Sequence, residues 1–312
     1  MQVFRGIPER AAQSSVLTIG NFDGVHRGHQ ALLQMLTDKA RALALPAVVL
    51  TFEPHPREYF APADAPARLA SLREKLLLLA ACGVDRVHVC RFDARLAALD
   101  AEQFIERILV RGLAVRHLII GDDFRFGARR QGDFALLQAQ GASLRFGVEA
   151  MHTLDADGER ISSSAVRAAL AADDLAHAAR LLGRPYSIAG RVIHGNKLGR
   201  KLGYPTANIQ MKHRKPALSG VFAVSVEGLA STVVPGVASI GLRPTVTSSG
   251  RPTLEVHLFD WHRDCYGAHL RVHFLSKQRD ERKYDSLDAL TAQIARDAEQ
   301  ARAWFAANPI RL

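Results

Sequence analysis

Cysteine is scarce in this chain. The three present (Cys82, Cys90 and Cys265) are far apart and never form a CxxC pair. That spacing argues against both a disulfide framework and a zinc site, and it fits a reducing compartment. Long apolar runs are missing as well: the longest, LLLLAACGV, is about half of the ~20 residues a membrane span needs. The opening MQVFRGIPER has no apolar core of the signal-peptide type. The expectation is a soluble cytoplasmic protein with no membrane partner. There is no internal repeat and no low-complexity linker, so any domain boundary is short. The order G-x-x-x-x-G-K-[ST] does not occur, which excludes a P-loop.

The composition is otherwise ordinary for a globular chain: 312 residues, 48% hydrophobic and 23% charged, enough for two cores of typical size. Lys and Arg outnumber Asp and Glu by 41 to 31, a formal +10, which favours anionic partners. From residue 16 to about 150, the runs SVLTI, AVVLTF, RVHVC and HLIIG read as buried parallel strands. Between them lie the helical patterns HQALLQMLTDKARAL, SLREKLLLLAA (Ser71 and Glu74 spaced as a capping box) and DAEQFIERILV. This alternation predicts an open α/β sheet with right-handed crossovers and ligands at the carboxyl ends of its strands.

After RPYSIAGRV the pattern changes to successive strand-like segments separated by Gly, Pro and Ser, with no helix until the end. These predict a small antiparallel barrel or sandwich. Leu287, Leu290, Ile294, Ala298, Ala301 and Phe305 recur at three- and four-residue intervals and mark a terminal amphipathic helix.

Two glycine-rich stretches carry chemistry. In GNFDGVHRGHQ (20–30), Gly20, Gly24 and Gly28 permit tight turns, and a helix starting near Arg27 aims free N–H groups at one spot. Such a spot suits an anion, to which His26 and His29, three apart, can both donate. The competing reading makes one histidine a helix cap and the other a surface residue; zinc lacks a third ligand nearby. In HGNKLGRKLGYPTAN (194–208), Gly195, Gly199 and Gly203 alternate with Lys197, Arg200 and Lys201. Glycines among cations suit a flexible flap over phosphates, and a solvated basic loop is the alternative.

GNFDGVHRGH resembles the HxGH signature of the nucleotidyltransferase superfamily. Together with TFEPHP (51–56), GDDFRFG (121–127), ISSSAVR (161–167), GRKLGYPTAN (199–208) and LEVHLFD (254–260), it resembles the bifunctional bacterial riboflavin kinase/FAD synthetases from end to end. The resemblance implies a Rossmann-like adenylyltransferase domain over 1–184 and a β-barrel kinase domain over 185–312. It implies ATP, riboflavin and FMN as substrates, Mg²⁺ as cofactor, and a monomer or weak homo-oligomer. His26 and His29 would stabilise phosphate charge, with Gly20, Asn21, Phe22 and Asp23 as the nucleotide loop. Ser162, Ser163 and Arg167 would converge on the leaving pyrophosphate. Phe52, His55, Phe60, Phe124 and Phe126 would offer flat surface to the flavin. Asp123 stands where some family members carry Asn, a departure that puts a negative charge beside a phosphate.

In the second domain, Thr206 and Asn208 would be neutral oxygen ligands to Mg²⁺. Glu255 would be the general base, although strand alternation alone reads it as a solvated residue on the face opposite Leu254, Val256 and Leu258. Arg279 would support flavin binding. If the two histidines neutralise phosphate, adenylyl transfer is expected to respond to pH near ~6.5. Two rivals remain at this point. A single-strand nucleic-acid binder would use the basic charge and the barrel, but the cations are scattered and no RNP-like cluster occurs. Another HxGH enzyme, such as a tRNA-charging fragment or a pantetheine-phosphate adenylyltransferase, leaves the C-terminal barrel without a use.

Overall fold

The computed structural model describes residues 1–152, 154–156, 158–195, 198–212, 215–242 and 252–309. They group into two units, Met1–Pro66 with Leu72–Ser162, and Ala67–Ser71 with Ser163–Leu312. The first unit runs β1 (Gln2–Arg5), β2 (Ser15–Ile19), α1 (Arg27–Ala42), β3 (Ala47–Glu53), α2 (Pro56–Phe60), α3 (Leu72–Ala81), β4 (Arg86–Arg91), α4 (Ala94–Ala97) and α5 (Ala101–Phe104). It continues through a π-helical segment, Ile105–Gly112, to β5 (Val115–Gly121), α6 (Phe134–Leu144), β6 (Gly147–Met151), β7 (Asp155–Ala156) and β8 (Glu159–Arg160).

Strands β1 to β6 form one parallel sheet in the order β1-β4-β3-β2-β5-β6. Its central strands are buried on both faces because alternate residues feed opposite cores. Leu17, Ile19, Val48 and Leu50 pack with Ile105 and Leu109, while Val16 and Val49 pack with Leu33 and Leu36 of α1 and Leu79 of α3. The open parallel α/β sheet is thus as the alternation foretold. Two details differ. Strand β1 is exposed at all four residues, so hydrophobic patterning gave it no signal. DAEQFIERILV changes to π pitch at Ile105, and the buried set Ile105, Ile108, Leu109 and Gly112 does not report pitch. Strand order reverses between β2 and β5, so the loops after these two strands flank the crevice where open α/β sheets bind ligands.

The second unit holds α7 (Ser163–Ala171), α8 (Leu175–Leu182), β9 (Ser187–Ile193), α9 (Leu198–Lys201), β10 (Ala207–Ile209), β11 (Gly220–Glu227), β12 (Val234–Leu242), β13 (Pro252–Leu258), β14 (His269–Arg279) and α10 (Leu287–Ala307). Strands β9 to β14 close into an antiparallel barrel, β10-β13-β12-β11-β14-β9, with β9 pairing back to β10. The sequence pattern left barrel and sandwich open; closure decides for the barrel. The short helix α9 is a departure, since no helix was expected there. It forms because the Tyr204 amide donates to the Gly199 carbonyl at 2.8 Å, a backbone closure that periodicity cannot report.

Helix α10 covers the outside of β11 and β12, setting Ala298 and Ala301 against Val221, Ala223, Val237 and Phe259. Its buried stripe also includes Asp297, which takes two bonds from Arg279 (2.8 and 2.6 Å), whereas Leu287, expected on that stripe, is 58% exposed.

Gly190 of β9 lies so close to the next strand that a Cβ would sit 2.4 Å from the Gln210 carbonyl oxygen. Gly190→Ala should therefore destabilise the second unit by about 1–3 kcal/mol, seen as a lower urea midpoint; an unchanged midpoint would mean that the strands part freely. Burial holds His88 and His273 below the ordinary imidazole range despite the bond His88 makes to the Gly6 carbonyl and the Glu227 carboxylate 3.0 Å from His273 Nε2. The unfolded chain takes up these protons first, so their contribution to stability is complete above ~6.5 and is lost as pH falls toward the lower folded values. Urea melts should show stability declining from pH 7 to pH 5; a flat profile would contradict the burial.

Candidate functional sites

The turn from β2 into α1 is built on left-handed backbone at Phe22 (φ 49°), Gly24 (φ 78°) and Val25 (φ 40°). Conformations of this kind are uncommon outside glycine and cluster at functional sites. They bring His26 to the N-cap of α1, where its Nδ1 accepts from the His29 amide at 3.3 Å. The two rings stack with centroids 3.6 Å apart. His26 is thus the helix cap of the competing reading, and His29, half-buried and stacked against it, is more than a surface residue. Gly28 is the reason the first turn fits: a Cβ there would come within 3.2 Å of the His26 ring.

Phe22 is 1% exposed and lies under His29, ring centroids 5.0 Å apart, so it offers its backbone to the loop while its side chain supports the imidazole. Asp23, Gly24 and Gly28 are buried in the same turn, while Gly20 and Asn21 are half-buried. His29 Nδ1 and Asn21 Oδ1 are buried polar atoms without a hydrogen-bond partner.

Burial, then the neighbouring His26 and Lys75, hold the His29 imidazole well below its ordinary range. The expected titration near 6.5 is therefore moved down for this residue, because two stacked rings beside a lysine disfavour a further charge. Lys75 itself was missed by sequence reasoning. It is 4% exposed on α3, and its Nζ donates to Thr51 Oγ1 (3.4 Å), whose hydroxyl in turn donates to the Asn21 carbonyl (3.4 Å). Nothing in the LLLL-rich pattern signals that the charged neighbours Glu74 and Lys75 are buried while Leu77 is 46% exposed.

The residues expected at the flavin fall into several settings within this unit. Phe52 meets Phe92 edge-on (5.8 Å), and Phe92 also meets Tyr59 and Phe60 (both 5.5 Å). Phe60 is 67% exposed, whereas Phe126 is 6% exposed, stacked on Phe124 and roofed by Gly132. Phe126 is thus a core residue in this structure. His55 caps α2 by accepting from the Arg57 amide (3.1 Å), in a capping box with Glu58. Asp123, the departure noted above, forms an ion pair with Arg160, so its negative charge faces a cation of its own chain. Arg160 carries no sequence signal for this pairing, while Phe92, just past the carboxyl end of β4, could have been found from topology.

Ser162 precedes α7, Ser163 begins it, and Arg167 lies one turn along, its Nε donating to the Ala67 carbonyl at 2.6 Å within the second unit.

A second group of residues lies on the outside of the barrel. Along β13, Pro252, Leu254, Val256 and Leu258 are buried, and Thr253, Glu255 and His257 point the other way. Glu255 pairs in register with Asn208 on β10 and Ser239 on β12. Thr206 Oγ1 lies 3.5 Å from Glu255 Oε2, and Asn208 Nδ2 lies 3.5 Å from the Thr206 carbonyl, both at the outer limit of a hydrogen bond. Gly195 sits against the Asn208 amide, where a Cβ would come within 2.4 Å, and a Cβ on Gly199 would come within 3.4 Å of the Thr206 side chain. Gly203 takes φ +86° in the turn between them. The glycines of the loop are therefore the residues that let it lie on Thr206 and Asn208; Lys197 lies outside the described residues.

Among the described residues no group of three or more His, Cys, Asp and Glu could hold a metal, so a cation here would rest on neutral oxygens, one carboxylate and substrate phosphates. Arg279 is committed to Asp297 and, at 2.8 Å, to the Asp280 carbonyl.

Comparison with known proteins gives two family-model matches, FAD synthetase over residues 9–165 and riboflavin kinase over residues 182–305. The bifunctional riboflavin kinase/FMN adenylyltransferase of Escherichia coli (strain K12) is 53% identical over 308 residues, covering 98% of each chain. That of Pseudomonas fluorescens is 51% identical with full coverage of both, and that of Haemophilus influenzae is 50% identical over 98% of this chain. A crystal structure from Streptococcus pneumoniae titled as a macrolide-efflux protein shares the fold, with TM-score 0.82 and 30% identity over 97% of this chain. Among the described residues no helix is long and apolar enough to cross a membrane. Full-length identity above half, two matching domain models in order and two separately built sites have one meaning: the chain belongs to the bifunctional riboflavin kinase/FMN adenylyltransferase family.

Proposed function

We propose that this chain makes FAD from riboflavin in two ATP-dependent steps, with residues 185–312 as kinase and residues 1–184 as adenylyltransferase. The observation that carries the reading is the presence, in one chain, of a stacked histidine pair at the strand-order reversal and a carboxylate in register with the PTAN segment. In the first step the riboflavin 5′-hydroxyl attacks the γ-phosphorus of ATP, Glu255 takes the hydroxyl proton, and ADP leaves. Thr206 and Asn208 would hold Mg²⁺, whose charge would offset that of the phosphates. Gly195, Lys197, Gly199 and Gly203 belong to the loop over the nucleotide.

In the second step an FMN phosphate oxygen, already anionic, attacks the α-phosphorus of the second ATP, and the bond to the β-phosphate breaks to release pyrophosphate. No strong base is required, and the work is to bring anions together and spread their charge. The imidazoles of His26 and His29 and the amides of the Gly20–Gly28 turn serve that end, and the family resemblance assigns Ser162, Ser163 and Arg167 to the pyrophosphate. His29 Nδ1 gains a partner when it donates to a phosphate oxygen, and Asn21 Oδ1 gains one when it accepts from a hydroxyl or amine of the nucleotide. The exposed ring of Phe60, with Phe52 and Phe92, offers the flavin a flat apolar surface; His55, Asp123 and Phe126 shape that pocket from behind, and Arg279 braces the kinase fold. Three widely spaced cysteines with no CxxC pair fit a cytoplasmic site of action.

Glu255→Gln should lower FMN formation from riboflavin by about 10²–10⁴-fold and leave FAD formation from supplied FMN nearly intact, followed by chromatography of the flavins. Loss of both activities would remove the assignment of separate sites. Lys75→Met should lower adenylyl transfer by at least about tenfold with riboflavin phosphorylation preserved, and Lys75→Arg should retain part of the activity. Equal rates in the wild type and the Met variant would show that the buried cation has no part in the reaction.

A further inference from the structure

The ladder between β10 and β13 starts at the pair Ala207 and Val256, which leaves Tyr204, Pro205 and Thr206 outside regular pairing. Proline has no amide to offer a ladder, so something else must fix this stretch. From β13, besides the Thr206–Glu255 approach, a side chain reaches it: His257 Nδ1 lies 2.9 Å from the Pro205 carbonyl oxygen. A carbonyl only accepts, so Nδ1 carries the proton in this bond. The ring is held in orientation from both sides, edge-on to Tyr204 (5.4 Å, 75°) and to Phe259 (5.8 Å, 71°). Phe259 is itself 3% exposed beneath α10. His257 also shares one rigid strand and one face with Glu255, two residues earlier.

We infer that His257 is a positioning residue of the kinase step, clamping the Pro205 carbonyl so that the Thr206 hydroxyl stays beside Glu255. The inference rests on the reading of Thr206 and Glu255 as kinase residues. Strand β13 then does two jobs with alternate outward residues. Glu255 faces the substrate hydroxyl, and His257 fixes the distance from that carboxylate to the oxygen proposed for the metal. Outer-shell hydrogen bonds of this kind commonly change metal affinity by 10–100-fold when removed.

The test uses the full chain in three variants, His257→Phe, His257→Asn and Thr206→Ala, with the wild type as reference. The Phe variant keeps a ring and loses the donor, while Asn retains a donor near the position of Nδ1. In the free enzyme, amide hydrogen exchange at Tyr204 and Thr206 should speed up in the Phe variant and return toward wild type in the Asn variant. The Mg²⁺ concentration giving half-maximal riboflavin phosphorylation should rise about tenfold in the Phe variant, with FAD formation from supplied FMN unchanged. Unchanged exchange and unchanged Mg²⁺ dependence in the Phe variant, beside a raised Mg²⁺ requirement in Thr206→Ala, would overturn the clamp alone. An unchanged Mg²⁺ requirement in Thr206→Ala would remove the metal reading and the clamp with it. A fall in kcat without any Mg²⁺ effect, not rescued by Asn, would reduce His257 to a fold residue and overturn the inference.

Discussion

The first site depends on one backbone constraint: the chain must leave β2 and enter α1 within the seven residues Gly20–His26, while keeping the helix N-terminus open to an anion. Three left-handed residues accomplish the turn, and two of them, Phe22 and Val25, are not glycine. Strain of this sort persists only where the surroundings over-determine it. Here the Phe22 and Val25 side chains are driven into the core, 1% exposed each, so that hydrophobic burial offsets the unfavourable backbone. The stacked histidines are a product of the same turn, since the cap residue and the third helical residue are thereby placed over one another.

Charge is handled differently in the two units. Around the histidine pair, Lys75 is withdrawn from water and linked through Thr51 to Asn21, a fixed cation beneath a loop suited to polyanions. Burial, and beside it such a charge, disfavours a proton on the His29 imidazole. On the barrel, Glu255 stands half-buried beside the Thr206 hydroxyl and in register with Asn208. One candidate site gathers positive charge, and the other presents a carboxylate.

Much of this was legible in the sequence, for physical reasons that can be named. Buried parallel strands show as unbroken β-branched runs, and SVLTI and AVVLTF became β2 and β3 within a residue or so. The alternation in TLEVHLF put Glu255 on the outer face, as found. What stayed hidden was set by long-range geometry. The pairing of Asp123 with Arg160 spans 37 residues of sequence, and the buried Lys75 looks like any helix-surface lysine until the partners of α3 are known. Phe126 could be read as a flavin-facing or a core aromatic, and no local pattern announces that Gly132 covers it. The resemblance to a family supplied roles, such as that of Glu255, that alternation alone would have assigned to solvent.

The closed barrel has a consequence for how this kinase portion can vary. Every strand of it has two partners, and side chains along β13 alternate strictly between interior and exterior. Adding one residue before Glu255 in that strand would turn the carboxylate inward and push Leu254 into water, and no free edge exists along which the strand could slide to repair the parity. A single added residue in this segment has therefore to be taken up by a bulge, of the kind that shifts the register between β11 and β14, or moved out to the loops.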